Sequence, residues 1–531
     1  MKKINAHTIF DDAAEAGAHT VVHLDRPLDI AADGVVAYDV AQLAGIVRDS
    51  AGWLKAAGAR PRDHVAIVKQ NHWDSDLLAF GAARIGAVPA KIRADLAPQA
   101  IATILSRLSP AVTVTTAKTL TDATAAGIDL VALSGRTLTI DGPAPGASTI
   151  DDVKGAPVPS PVARDDDDPL IVCLTSGTTG VPKLAVHTVG TMIRALAQFE
   201  AQKLPFFGCQ PADTVGTASA FSHGRTFCWT TVAMTMAPRE IVIVSDHDPV
   251  KADPLLRAHR PTIFEGIPAT FVRWTPMASV PGNPFEDVRL YVSTYDAIHP
   301  PAVRAFLAAS RRKRVVFMHG WGQSETGPLT FRFFTRKALA QVGGRHPTTR
   351  DQGMPTPIKT RLRVVDPTTM RKLPRGKPGV LMTRTKALCH GYVGESERFD
   401  EKLSDGWFNT GDVGVITRKG NVIFVDREVD EIPGVSCVEV EDVIDDRIDE
   451  VMECILLGTP GSLPVPIIVT ADGTLDPEKW AAATKDLPKM ADPLLRAWDD
   501  IPRTGTGKVR RLALREQLEK VAATHGSGRW T

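Results

Sequence analysis

Leu170-Ile171-Val172-Cys173-Leu174-Thr175-Ser176-Gly177-Thr178-Thr179-Gly180-Val181-Pro182-Lys183 is the stretch on which the reading of this chain turns. The apolar run Leu170–Leu174 predicts a buried strand. The residues that follow, Thr175–Lys183, are dense in Gly, Ser and Thr and end on a lysine. Glycines let a backbone approach an anion closely and present N–H groups to it, hydroxyls add donors, and a lysine adds a point charge. The composition is that of a phosphate loop, although the Walker spacing G-x-x-x-x-G-K-[ST] does not occur. A flexible Gly/Thr turn has the same composition, and at this level both readings stand.

Upstream, Leu43, Val47, Ala51 and Leu54 recur at helical spacing and predict an amphipathic helix over 39–58, stopped by Gly58. A strand follows at His64–Val68, then a helix over 74–87 ended by Gly86. Val112–Thr115, Leu130–Leu133 and Leu138–Ile140 read as further strands. Alternation of helices with short apolar strands predicts an α/β architecture with largely parallel sheets. Residues 141–169 are rich in Pro, Gly, Ala and Asp, and the acids Asp165–Asp168 read as a solvated loop. From about residue 360, alternating segments such as Arg361–Val365 and Gly379–Thr383 predict a β-rich part. The last hundred or so residues carry their own helices, near 439–448 and 508–522, and suit a small separate domain.

The chain of 531 residues is too long for a single core. Lys plus Arg is 62 against 61 for Asp plus Glu, which gives no global field for nucleic acid or an anionic membrane. No apolar run is long enough for a membrane-spanning helix, and membrane insertion is not expected. The start, Met1–Asn5, is basic but runs into Asp11, Asp12 and Glu15 without an apolar core, unlike a secretion signal. The six cysteines include no C-x-x-C pair, so a zinc site or disulfide framework is not expected and a cytoplasmic location is. Cys173 reads as a small buried hydrophobe.

Further stretches carry chemical groups. In His319–Gly327, after the strand Val315–Met318, Trp321 can stack on a base, Ser324 can donate to a phosphate and Glu325 can hold Mg²⁺. Alone, it is an ordinary βα loop. In Gly406–Gly414, Asp412 follows a glycine and precedes a strand, which suits it to accept from ribose hydroxyls; a hairpin acid is the plain alternative. Asp426-Arg427-Glu428-Val429-Asp430 falls at the expected domain junction. Ile501–Arg511 is a Gly/Thr loop that presents Lys508, or a basic solvated tail.

Jointly, in this order and from about residue 38 to 515, these stretches resemble the acyl-adenylate-forming superfamily. Its members are acyl- and aryl-CoA synthetases, peptide-synthetase adenylation domains and firefly-type luciferases. The resemblance implies a large N-terminal domain over 1–426, with two mostly parallel α/β sheet subdomains and a β-rich subdomain. A small mobile α+β domain over 427–531 would carry the catalytic lysine. It implies that Thr175, Ser176, Gly177, Thr178, Thr179, Gly180 and Lys183 hold the ATP phosphates. Tyr295, Asp296 and Ala297 would form the adenine strip, with Trp321 and Gly322 beside the base. Ser324 would contact the α-phosphate, Glu325 would hold Mg²⁺, Asp412 and Arg427 would bind the ribose, and Lys508 would bridge the attacking acid and the α-phosphate. His223 would act beside the acid, in a substrate pocket lined by Phe221, His223, Gly224 and Tyr295. Arg225 would pair with an anionic substrate group or be a surface arginine.

The sequence also departs from the family's pattern. Tyr295 replaces a small residue in the adenine strip, Val429 stands where Asp or Lys usually marks the hinge, and the loop Pro433–Val438 is short. That loop usually lines the path by which CoA or a carrier arm reaches the adenylate. The implied function is ATP-dependent activation of a small-molecule acid as an acyl-adenylate with release of pyrophosphate, followed by default by transfer to CoA. The shortened loop keeps alternatives open: an amine, a carrier protein or water as acceptor, or nitrite activation and diazotisation of an aryl amine in secondary metabolism. A nucleotide-binding pseudoenzyme is disfavoured because Lys183, Glu325, Asp412, Arg427 and Lys508 are all present.

Overall fold

The strand Pro169–Leu174 forms where the apolar run predicts it. In the computed structural model it belongs to a seven-stranded sheet. The strand order is Ser148–Thr149, Arg136–Thr139, Val112–Thr115, His64–Lys69, Val88–Arg93, Pro169–Leu174 and Leu184–Thr188. Every neighbouring pair is parallel except the last. The last strand, Leu184–Thr188, returns antiparallel to Pro169–Leu174. The description covers all residues except 1–2, 32, 176–180, 203–206, 342–345, 358, 428–434, 459–462 and 525–531.

The chain divides into two compact units. One comprises Met1–Glu265, Gln323–Gly327 and Lys386–Glu401; the other comprises Gly266–Gly322, Pro328–Thr385 and Lys402–Thr531. In the first unit, the helix Pro98–Leu108 buries Ile101, Ile104, Leu105 and Leu108 in a cluster with Val68, Ile92 and Val172 of the seven-stranded sheet. The helix Val40–Ala56 covers the expected span and starts at a capping box formed by Asp39 and Gln42. One expected strand is absent. At 130–133 the Asp129 side chain accepts from the N–H groups of Val131 and Ala132, at 3.0 and 3.2 Å, and winds the run into the 3₁₀ turn Val131–Leu133. A further group of strands in this unit pairs Val21–Leu24 with Ala37–Asp39 in antiparallel fashion. On its other side Val21–Leu24 pairs in parallel with Glu240–Ile243, which in turn pairs in parallel with Thr214–Ala218.

In the second unit Leu290–Ser293 runs parallel to Val316–Gln323. The β-rich part is an antiparallel sheet of Thr360–Val365, Pro378–Thr385, Trp407–Ile416 and Leu403–Ser404, with Val422–Arg427 paired to Trp407–Ile416. Toward the C-terminus, Val451–Leu457, Val465–Thr470 and Leu494–Leu495 form a three-stranded sheet. The helix Cys437–Arg447 packs Val440 and Ile444 against it, and Arg511–Thr524 packs Leu514 and Leu518. The fold class is therefore α/β with mixed parallel sheets and a β-rich part, as the sequence predicts. Among the described residues no helix is long and apolar enough to cross a membrane. All six cysteines are free.

Candidate active site

The strand pair that flanks 175–183 closes the neck of the loop. Thr175 N–H donates to the Lys183 carbonyl at 3.0 Å, and Lys183 N–H returns to Thr175 Oγ1 at 3.2 Å. Ser176, Gly177, Thr178, Thr179 and Gly180 lie outside the described residues. The Lys183 side chain leaves this neck toward Glu325, with Nζ 2.8 Å from Oε1. The Tyr392 hydroxyl donates to the same oxygen at 2.8 Å and accepts from Lys183 Nζ at 3.0 Å. Glu325 is 5% exposed. Burial alone would raise its carboxyl, but the Lys183 charge and the bonds from Lys183 and Tyr392 outweigh it and hold the group below its ordinary range. Glu325 is thus an ionised hard-oxygen group, the donor type that Mg²⁺ takes.

Tyr392 reaches the cluster because its segment is laced to the strand Leu184–Thr188. His390 N–H bonds the Val186 carbonyl at 2.8 Å, Val186 N–H bonds that of Gly391 at 3.0 Å, and Val393 N–H bonds that of Leu184 at 2.9 Å. Cys389 N–H also holds the Glu325 carbonyl, at 2.7 Å. Sequence reasoning missed Tyr392. No spacing links it to residue 183 or 325, and only the folded strand brings them together.

The turn at Ser324 is held from a second side. His187 Nε2 donates to the Ser324 carbonyl at 2.7 Å, while its Nδ1 accepts from Thr191 Oγ1 at 3.1 Å. The Ser324 hydroxyl lies 3.1 Å from His223 Nε2. His223 caps the helix Gly224–Met236, its Nδ1 accepting from Arg225 N–H at 3.0 Å. A ring nitrogen that accepts from a backbone N–H carries no proton, so the imidazole proton sits on Nε2 and points at Ser324. Gly224 is needed for close approach: a Cβ there would stand 2.1 Å from Cys173 Sγ. Cys173 is buried, and burial pushes its thiol up to about 12, so it is an inert filler as predicted. Phe221 is fully buried, with its N–H on Asn71 Oδ1 at 2.8 Å.

Arg225 has two carboxylate partners. It is part-buried and paired with Glu265 at 2.8 and 2.7 Å and with Glu200 at 2.7 Å.

The second unit gathers the other candidates. Trp321 and Gly322 lie in the strand Val316–Gln323, which is followed by a turn and the strand Gly327–Phe334. The stretch read as a βα loop is therefore a β-turn-β, with its glycines accommodating neighbours: a Cβ on Gly320 would press on Thr294 at 3.1 Å. Trp321 is 8% exposed, packs with Leu329, Val364, Leu381 and Val422, and donates its indole N–H to Asp412 Oδ2 at 3.1 Å. Asp412 sits inside the strand Trp407–Ile416 rather than ahead of one, directly opposite Arg427 in register. Arg427 Nε lies 3.4 Å from Asp412 Oδ1. Burial pushes the Asp412 carboxyl up, against the pull of Arg427 and then of Lys508, so the Lys508 charge acts on this carboxylate. Lys508 N–H bonds Thr504 Oγ1 at 3.1 Å, and a Cβ on Gly507 would press on Ala269 at 2.6 Å. Tyr295, Asp296 and Ala297 follow the strand Leu290–Ser293 in a bend. Val429 and residues 433–434 of the short loop lie outside the described residues.

A family profile described as AMP-binding enzyme matches residues 12–393. The chain belongs to the AMP-binding enzyme family. It is similar, at 35% identity over 97% of this chain and 96% of the relative, to a 3-amino-2-hydroxy-4-methoxybenzoate diazotase from Streptomyces cremeus. A 4-coumarate–CoA ligase from Oryza sativa subsp. japonica is 24% identical over 68% of each chain. Among solved structures, an anthranilate CoA ligase in complex with anthranoyl-AMP has a TM-score of 0.82 at 19% identity, covering 98% of both chains. This AMP-binding enzyme is thus an ATP-utilising, AMP-forming enzyme of the ligase and adenylating type, with the fold that the motif order implied. The residues that motif order singles out are, in each unit, brought into contact with one another: Lys183, Glu325, Ser324 and His223 in the first, Trp321, Asp412 and Arg427 in the second.

Proposed function

We propose that the chain activates nitrite with ATP and passes the activated nitrosyl group to an aryl amine. What carries this reading beyond adenylation is the full-length likeness to a diazotase, at higher identity and coverage than the likeness to the rice CoA ligase. Val429 and the short loop after it favour the same choice, since the usual CoA path would be altered.

A nitrite oxygen attacks the α-phosphate of ATP and pyrophosphate leaves. The resulting O=N–O–AMP is attacked by the amine nitrogen, AMP departs, and the N-nitroso product takes up a proton and loses water to give the diazonium ion. Lys183 and Thr175, with Ser176, Gly177, Thr178, Thr179 and Gly180, would hold the β- and γ-phosphates. Asp412 and Arg427 would bind the ribose, Trp321 and Gly322 would flank the adenine with Tyr295, Asp296 and Ala297, and Ser324 would contact the α-phosphate. Lys508 would neutralise charge between acid and α-phosphate in the transition state. Glu325 would hold Mg²⁺, which supplies charge neutralisation on the phosphates when bound. His223, donating from Nε2, would orient the acid, with Phe221 and Gly224 lining the substrate site on the same unit and Tyr295 contributing to substrate selection. Residues 427–531 would move as a small domain that carries Lys508, and the enzyme would work in the cytoplasm.

The full chain, incubated with ATP, Mg²⁺, nitrite and an aminohydroxybenzoate, is expected to yield a diazonium product trapped as an azo dye. A second reading, thioester formation with CoA, is favoured by the rice ligase. A benzoyl-CoA-type thioester without any diazo product would overturn the first reading and support the second.

A further inference from the structure

The interior of the first unit holds an ion pair that adenylation chemistry does not call for. Lys91, in the parallel strand Val88–Arg93, is 1% exposed, and Asp76, in the helix Asp74–Arg84, is fully buried. An ammonium has three N–H donors, and Lys91 spends them on Asp76 Oδ1, on Thr226 Oγ1 at 2.7 Å and on the carbonyl of His223 at 3.0 Å. Asp76 is steadied in turn by Thr230, whose hydroxyl accepts from the Trp73 indole at 3.0 Å. A buried pair of this kind is a weak source of stability, because each charge must give up its water and apolar residues of the same volume often fill such a site as well.

Lys91 bonds to the 221–226 turn at two points. Thr226 Oγ1, which accepts from Lys91, is also within 3.0 Å of the His223 carbonyl and 3.3 Å of the Phe221 carbonyl. The His223 carbonyl is thus held by a charged donor, while its ring is held by Arg225 N–H. The other partner of the His223–Ser324 contact is fixed in the same manner, through its carbonyl, by His187. Each side of a 3.1 Å contact is therefore held by a buried side chain acting on the backbone.

We propose that Lys91 is a positioning residue, anchored by Asp76, that pins the His223 carbonyl and so aims Nε2 at Ser324 and the acid. The inference rests on the reading of His223 as the group beside the acid. Loss of the pin lets the turn shift, and a displacement on the order of 1 Å at a site of this kind lowers turnover by roughly 100-fold.

The test uses acid-dependent ATP–pyrophosphate exchange on the full chain, with the acid that drives exchange in the wild type. Lys91→Met alone leaves Asp76 buried without its cation and risks misfolding. Lys91→Met/Asp76→Leu, which replaces the whole pair by apolar groups, is therefore made as well and checked by its melting temperature. The expected result is a folded protein with kcat down roughly 10- to 100-fold and KM for ATP changed by less than about threefold. His223→Ala is expected to lose a similar factor. Adding it to the paired variant should cost less than about threefold more, because the two act through one contact. Losses that multiply, or a paired variant with wild-type kcat, would overturn the role of Lys91 while leaving that of His223 intact. A fully active His223→Ala enzyme would instead overturn the reading of His223, and this inference with it.

Discussion

Tyr295 holds φ at +85°, a left-handed conformation that a bulky L residue seldom adopts. The resemblance places a small residue there, so the tyrosine sits on a backbone shaped for glycine. Such strain costs on the order of 1–3 kcal/mol and tends to persist where the surroundings over-determine it. If the ring borders the bound aryl amine, Tyr295→Gly should raise kcat/KM for bulky aryl amines relative to small ones by about tenfold or more; an unaltered ratio across a series of amines would remove Tyr295 from the substrate's surroundings. At Glu325, two donors meet on one oxygen. Glu325→Gln keeps the shape but not the charge, and turnover should fall by roughly 100- to 1000-fold with the fold intact by circular dichroism. At this scale the sequence was informative for Lys183, Glu325 and Asp412, whose types stand out in glycine-rich surroundings. It was silent on Tyr392, His187 and Lys91, because a group that acts on a backbone carbonyl or from a distant strand leaves no local pattern.

Among the elements, the helix Cys437–Arg447 is tied down by an unusual cluster. His299, which caps the helix Pro300–Ala309, places Nδ1 2.7 Å from Asp442 Oδ1 and 3.8 Å from Asp445 Oδ2. Thr349 N–H bonds the other Asp442 oxygen at 2.9 Å. Burial would lower the imidazole, but the carboxylates overcome it and push His299 up to about 10. A raised folded value means that the stabilisation is fully present below the ordinary histidine range near pH 6.5 and is lost as pH rises through about 10. Denaturant unfolding at pH 7 and pH 10 should therefore show a loss of roughly 2–5 kcal/mol in the wild type that is absent in His299→Gln. Equal pH dependence in both would contradict the assignment. Most elements were legible from periodicity, including the helix Val40–Ala56 and the strand Pro169–Leu174. The misses have local causes. Asp129 caps the run at 130–133 into a turn, and the glycines of 319–327 permit a strand reversal where a βα loop was expected.

For the whole molecule, the alternation of helices and strands and the order of the glycine-rich stretches were sufficient for the fold class and the family. The division into compact units was not legible, because the chain crosses between them at Gly266, Gln323, Pro328, Lys386 and Lys402, and such returns leave no compositional boundary. Lys508 is held in a Gly/Thr loop and its charge bears on Asp412; the central proposal is that it drives attack of an acid on the α-phosphate of ATP. Its most direct measurement is acid-dependent pyrophosphate release by Lys508→Ala, alongside ATP affinity. The account predicts a loss of about 100- to 1000-fold or more in turnover with ATP affinity changed by no more than about threefold. Turnover within about threefold of the wild type would contradict it.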